Sequence, residues 1–306
     1  VEYERLGDGE RAVLILHGWG CSREMFRGTA VLLAKKYTVL LPDLCGFGGS
    51  PEPPTPMSPG DYADLFIGLL ASLGIAHVSL IGHSYGGRVI LKLFEKQSAQ
   101  PLPFVIDRVM LVDAAGIKPK QSPGARLSLA AYKAGRRILS TKPMQKLFPG
   151  AVDAWRKKRG SADYNNASET MKKTLVLAVN EDLTHCLPKV AAPTLLFWSD
   201  ADDATPLADA KRMEREIPGA GLVVVRGGSH FSFADGPAPF RPVLGSFFGL
   251  LRGFFHEPCH GFHPHAACAR ALLACRISVF RSTVFSAHVP AQFLHRTGAV
   301  ELDAGK

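Results

Sequence analysis

The sequence offers little from which to build a disulfide-knit, membrane-spanning or nucleic-acid-binding protein. Its six cysteines (Cys21, Cys45, Cys186, Cys259, Cys268 and Cys275) are scattered, and no two are spaced as CxxC. That argues against a disulfide scaffold or a zinc finger and fits free thiols in a reducing, cytoplasmic setting. No run of about 18 uncharged apolar residues occurs, so no segment reads as a bilayer span. The N-terminus lacks a basic stretch leading into an apolar one. The chain opens on Val1 rather than Met, however, which leaves open an upstream start with a removed leader. An RNP-like aromatic pattern and a basic zipper are also missing, so a nucleic-acid partner is not expected.

Of the 306 residues, 46% are apolar and 21% charged, the balance of a globular chain long enough to bury a large core without staples. The length fits one large domain with an inserted subdomain, or two small ones. The net charge of +9 is concentrated in one segment. Residues 117–173 hold 14 Lys/Arg against three acids (Asp153, Asp163 and Glu169), a local charge of +11, while everything else sums to about −2.

Short apolar runs alternate with segments of helical period. Ala12–Leu16, Tyr37–Leu41, His77–Ile81, Arg108–Val112, Pro193–Trp198 and Leu222–Val225 read as buried strands. Glu24–Lys36, Asp61–Leu73, Tyr85–Lys96, Leu207–Ile217 and Phe240–Leu251 read as helices. This alternation means an α/β fold, a mostly parallel, doubly wound sheet with helices on both faces. The rhythm breaks between Gly116 and Pro188, where helical stretches near 124–139, 151–159 and 167–183 replace any clear strand. Leu127, Ala131, Ala134 and Ile138 share one helix face and are expected to bury a stripe against the body below. An all-helical insertion between parallel strands lies over their C-terminal edge, where such sheets bind ligands, so it reads as a lid. The expected organisation is a core of residues 1–116 and 189–252 with an inserted helical lid over 117–188. Residues 253–306, rich in Cys and His and without the strand–helix rhythm, read as a poorly ordered appendage.

Gly82-His83-Ser84-Tyr85-Gly86-Gly87 follows the strand His77–Ile81 and precedes a helix. A Ser on a sharp strand-to-helix turn needs glycines two residues to either side, because side chains there would clash with the adjoining strand and helix. Such a turn lifts the hydroxyl above the sheet, so Ser84 is the candidate nucleophile. GxSxG alone recurs by chance in a Gly-rich chain; the strand before and the helix after make it specific. His83, the variable residue of the motif, is expected to point away from the reacting centre.

Three runs together resemble the α/β-hydrolase superfamily, from the N-terminus to about Leu251. They are His17-Gly18-Trp19-Gly20 after the first long strand, Pro42-Asp43-Leu44-Cys45-Gly46-Phe47-Gly48-Gly49-Ser50 after the second, and the elbow at Ser84. The resemblance implies that HGWG forms an oxyanion loop, with the Trp19 and Tyr85 N–H groups as donors and His17 holding the loop. It also implies that an acid and then a His follow the nucleophile. Asp202 lies four residues before Pro206, where members of the superfamily place the acid; Asp200 and Asp203 read as solvated turn or cap residues. Some relatives take the acid from the strand before the lid, which keeps Asp113 as the alternative. His230, after strand Leu222–Val225, has no close rival in His77, His83 or His185 and is the candidate general base.

Ser rather than Asp at the elbow points to an acyl-enzyme, and so to an ester, a thioester or a C–C bond beside a carbonyl. The leading expectation is a Ser-His-Asp hydrolase of carboxylesterase type acting on small-to-medium acyl substrates. The alternatives are a C–C hydrolase of ring-cleavage products, an acyltransferase, and a non-catalytic ligand-binding module. No cofactor is implied. Trp155, Tyr132, Tyr164, Leu175 and Val179 are candidate lining residues. The basic lid, with Arg156-Lys157-Lys158-Arg159 in a row, is either a solvated surface or a contact for an anionic substrate or anionic membrane. Cys259, His260, His263, His265 and Cys268 cluster in the tail without the fixed spacing and structured support of a metal site, so no metal is expected.

Overall fold

In the computed structural model, which describes residues 1–118, 123–148, 162–235, 237–250 and 299–303, eight strands form one sheet. They are β1 (Tyr3–Leu6), β2 (Ala12–Leu16), β3 (Thr38–Pro42), β4 (His77–His83), β5 (Val105–Val112), β6 (Thr194–Ser199), β7 (Gly221–Arg226) and β8 (Ala299–Asp303). Their order is β1-β3-β2-β4-β5-β6-β7-β8, with β1 antiparallel to β3 and every other neighbouring pair parallel. The six apolar runs thus form the middle of the sheet. The two edge strands, Tyr-Glu-Arg-Leu and Ala-Val-Glu-Leu-Asp, carry too much charge to stand out in the sequence. The second lies within 253–306, where Ala299–Asp303 extends the sheet alongside β7. The rest of that range, with its Cys/His cluster, lies outside the described residues.

The helices are α1 (Arg27–Leu33), α2 (Pro59–Ser72), α3 (Tyr85–Ala99), α4 (Pro123–Leu139), α5 (Lys142–Leu147), α6 (Ala162–Asn166), α7 (Glu169–Asn180), α8 (Leu207–Glu216), α9 (Ser232–Asp235) and α10 (Pro237–Phe247). Every residue of β2 is buried, and its side chains divide by alternation. Leu14 and Leu16 enter one core with Tyr62 and Phe66 of α2, Val89 and Phe94 of α3, and Met213 of α8. Val13 and Ile15 enter the other, with Ala30 and Leu33 of α1 and Phe240 and Leu244 of α10. Burial on both faces is why these strands read as unbroken apolar runs. Helix α2 starts two residues earlier than its apolar period suggests. Ser58 and Asp61 form a capping box there, and Pro59 pre-sets the first turn.

From β2 the chain moves one way to β3, then crosses back over β2 to reach β4. The loops leaving β2 and β4 therefore diverge at a switch point, where open α/β sheets form their crevice. Between β5 and β6 comes the helical insertion, α4 to α7; the helix read over 151–159 lies outside the described residues. Its two ends are tied together. Leu183 N–H donates to the Gly116 carbonyl at 2.9 Å, and Lys118 Nζ donates to the Asn180 carbonyl at 2.8 Å. Helix α7 settles on the loop after β3, where the Thr174 hydroxyl accepts the Met57 N–H at 3.1 Å and Met171 lies over Gly46. Among the described residues no helix is long and apolar enough to cross a membrane.

Helix α4 departs from expectation. Its apolar stripe does not face the body: Leu127 is 73% and Ile138 59% exposed, and Ala131 and Ala134 are exposed as well. The chief described neighbour of α4 is α5 rather than the sheet. Periodicity reports that a helix has an apolar side, not what meets it. Leu14→Ala is therefore expected to lower stability in urea unfolding by about 2–5 kcal/mol. Leu127→Ala should change it by less than about 0.5 kcal/mol. Equal losses would mean that the α4 stripe is buried.

Candidate active site

Ser84 ends β4 and opens α3, so the chain must reverse within one residue. Its φ of +48° lies in the left-handed region that L side chains rarely adopt, a strain of about 1–3 kcal/mol that persists only where the surroundings over-determine it. Ala115 N–H donates to the Ser84 carbonyl at 2.9 Å, and Gly87 N–H does so at 3.0 Å. Gly86 passes so close to β2 that a Cβ there would lie 2.3 Å from the Leu16 carbonyl oxygen. Gly18, in the loop after β2, abuts the elbow from the other side; a Cβ on it would meet the Ser84 Cβ at 3.1 Å. The Trp19 and Tyr85 rings stand edge to face with centroids 5.5 Å apart. Beneath them, buried His17 donates from Nδ1 to the Gly18 carbonyl at 2.7 Å and accepts the Leu44 N–H at Nε2. Burial lowers the His17 pKa, so a neutral ring links the loops after β2 and β3.

His230 and Asp202 come from the other half of the sheet. His230 follows β7, and its Nε2 accepts the Ser84 hydroxyl at 2.9 Å while Nδ1–H donates to Asp202 Oδ2 at 2.8 Å. Asp202 follows β6 and is buried. Its Oδ1 accepts the N–H groups of Ala204 and Thr205, both at 2.8 Å, and its Oδ2 also accepts the Thr205 hydroxyl at 2.6 Å. Burial by itself raises the Asp202 pKa, but the hydrogen bonds from His230 and Thr205 outweigh it and hold the carboxyl below its ordinary value. Burial likewise opposes the charged form of His230, yet the hydrogen bond and charge of Asp202 prevail and raise its pKa. A proton arriving at Nε2 is thus stabilised by a carboxylate already ionised on the far side of the ring.

The other acids serve elsewhere. Asp113, with φ of +43°, is fully buried, and its carboxylate accepts the N–H of Ser199 at 3.0 Å, the N–H of Ser232 at 3.1 Å and the Ser232 hydroxyl. Burial lifts its pKa to about 7 against the pull of these donors. Asp113 so clamps the end of β6 to the start of α9, the segments that flank Asp202 and His230. Asp200 accepts the Gly227 N–H at 2.8 Å at the surface, and Asp203 is exposed.

His83 corrects the sequence reading. Instead of pointing away, its ring lies against that of His230, 4.9 Å between centroids, and Nε2–H donates to the His230 carbonyl at 2.9 Å. Burial lowers its pKa to about 3, so the ring is neutral. Of the candidate lining residues, Tyr132, Tyr164 and Leu175 are half-buried and Val179 is exposed, while Trp155 and 156–159 lie outside the described residues. Among the described residues Glu95, His185 and Cys186 come close enough to share a metal ion, but the Glu95 carboxylate already pairs with the Lys92 ammonium and the His185 ring.

Asp113→Asn turns an amide N–H toward one of three donors. It is expected to cost about 1–3 kcal/mol in urea unfolding, against less than about 0.5 kcal/mol for Asp200→Asn at the surface. Equal effects would remove the clamp from Asp113.

A family profile described as alpha/beta hydrolase fold matches residues 11–237. An uncharacterized protein of Mycobacterium tuberculosis is 28% identical over 268 residues, covering 79% of this chain and 76% of that one. The pimeloyl-[acyl-carrier protein] methyl ester esterase of Aeromonas salmonicida is 28% identical over 259 residues, covering 81% of this chain and 99% of that one. Among solved structures, a thermophilic esterase from Thermogutta terrifontis superposes with a TM-score of 0.58 at 24% identity, over 82% of this chain and 92% of that one. With about three quarters of its length matched by that profile, the chain belongs to the alpha/beta hydrolase fold family.

Proposed function

We propose that the protein is a serine hydrolase of carboxylesterase type, cleaving small-to-medium acyl substrates through an acyl-enzyme. The observation that carries this reading is the continuous relay from Ser84 Oγ through His230 to Asp202, with contacts of 2.9 and 2.8 Å. Esterases among the relatives support the ester as the bond cleaved. In this reading His230 Nε2 takes the Ser84 proton as Oγ attacks the substrate carbonyl carbon. The carbonyl oxygen gains the negative charge and accepts hydrogen bonds from the N–H groups of Trp19 and Tyr85. Each such donor contributes on the order of 3 kcal/mol to the barrier reduction. The packing of Gly18 on Ser84 and the position of Tyr85 in the first turn of α3 support that assignment. His230 then returns the proton to the leaving oxygen, and water releases the acyl group by the same steps in turn. The insertion acts as a lid, with α7 forming one wall over the loop after β3.

A fluorophosphonate is expected to label the wild type and not Ser84→Ala, and that variant should lose roughly 10⁶-fold in ester hydrolysis. Labelling that persists in Ser84→Ala would overturn the reading.

Asp202→Asn should lower kcat by roughly 10⁴-fold. The pH profile gives a second readout. A base must be neutral to act, so kcat/KM falls as pH drops below the His230 pKa. Asp202 raises that pKa, so its removal should move the acid limb to lower pH. A limb that moves in Asp113→Asn and stays in place in Asp202→Asn would give the orienting role to Asp113.

A further inference from the structure

Of the eleven large apolar side chains exposed among the described residues, seven lie in the helical insertion. On α4 these are Leu127 and Ile138, three turns apart on one stripe with exposed Ala131 and Ala134 between them. On α5, which packs against α4, Leu147 is 68% exposed and Phe148, just past its end, 51%. Exposed Lys133 and Arg137 follow on the adjoining side of α4, and exposed Lys146 stands on α5. Four large apolar side chains exposed on two adjoining helices differ from the singly scattered ones of an ordinary exterior and mark a contact surface.

We propose that the α4–α5 face docks the protein on an anionic lipid surface. The stripe from Leu127 to Ile138 runs about 16 Å along the helix, a length that lies in the plane of a headgroup layer with its apolar side buried and its cations toward the phosphates. Exposed Lys133, Arg137 and Lys146 supply charge on the face itself, and in sequence residues 117–173 carry 14 Lys/Arg against three acids, nine of the fourteen being Lys. Lysine is depleted at protein–protein interfaces. It suits diffuse attraction to an anionic leaflet, which needs point charges near the surface and no fixed geometry. An acidic protein partner would satisfy the charge but not the lysine bias or the in-plane stripe. The inference is independent of the proposed hydrolysis, because it concerns binding alone.

The test is co-sedimentation of the full chain with vesicles of phosphatidylcholine, alone or mixed equally with phosphatidylglycerol. Binding to the mixed vesicles should be tighter by roughly tenfold or more and should weaken as salt rises toward about 1 M. Lys133→Glu with Arg137→Glu should abolish the preference for anionic vesicles. Leu127→Gln with Ile138→Gln should weaken binding even at low salt, with circular dichroism melts showing that both variants fold. The comparison of the two vesicle types on the wild type decides even if a variant fails to fold. Equal binding to both, binding to neither, or variants that bind like the wild type would overturn the proposal. A solution dimer split by Leu127→Gln with Ile138→Gln would assign the face to a second copy. Capture of an acidic polypeptide without vesicle binding would assign it to a protein.

Discussion

A parallel strand cannot turn straight back to its neighbour; it joins it through a crossover, usually a helix, that carries the chain back to the opposite edge of the sheet. That constraint governs the rest of the molecule. It sends every loop that follows a parallel strand to the same edge, so groups from β2, β4, β6 and β7 meet although they lie far apart in sequence. It also makes the strands apolar along their whole length, which leaves polar chemistry to the loop residues just beyond them. The reversal in strand order around β2 then opens the gap that lets the Gly18 loop and the Ser84 elbow stand side by side.

Within that gap the electrostatics depend on two buried acids whose pKa values are pushed in opposite directions. Asp202 collects donors from Ala204, Thr205 and His230 and stays ionised below its ordinary range. Asp113 lies deeper, with its pKa pushed up to about 7. One acid faces the imidazole, and the other holds together the backbone segments that bring the first acid and the imidazole into register. His83 adds a tie from the elbow itself to the carbonyl of His230. The strand end that carries Ser84 thus helps to set where His230 stands.

Much of this was legible in the sequence because the signals are local. Unbroken apolar runs marked the six central strands, and GxSxG after a strand and before a helix marked the turn at Ser84. The sites that escaped depend on remote partners. Nothing near Asp113 in the sequence announces Ser199 and Ser232, and nothing near His83 announces the carbonyl of His230. The edge strands β1 and β8 were hidden because a strand with one free edge tolerates Glu, Arg and Asp. The period of α4 announces a helix but not what covers it, since an apolar stripe looks the same whatever it meets.

The knotting of the insertion's two ends, Leu183 to Gly116 and Lys118 to Asn180, has a consequence for how this protein can change. Seen from the sheet, those bonds close the gap between β5 and β6 much as a short turn would. Helices α4 and α5, whose chief described neighbours are each other, can vary without shifting strand register, whereas α7 is seated through Met171 and Thr174 on the loop after β3. The molecule therefore has two separable parts: the sheet with the loops that carry Ser84, Asp202 and His230, and an outer pair of helices whose exchange would leave that sheet in place.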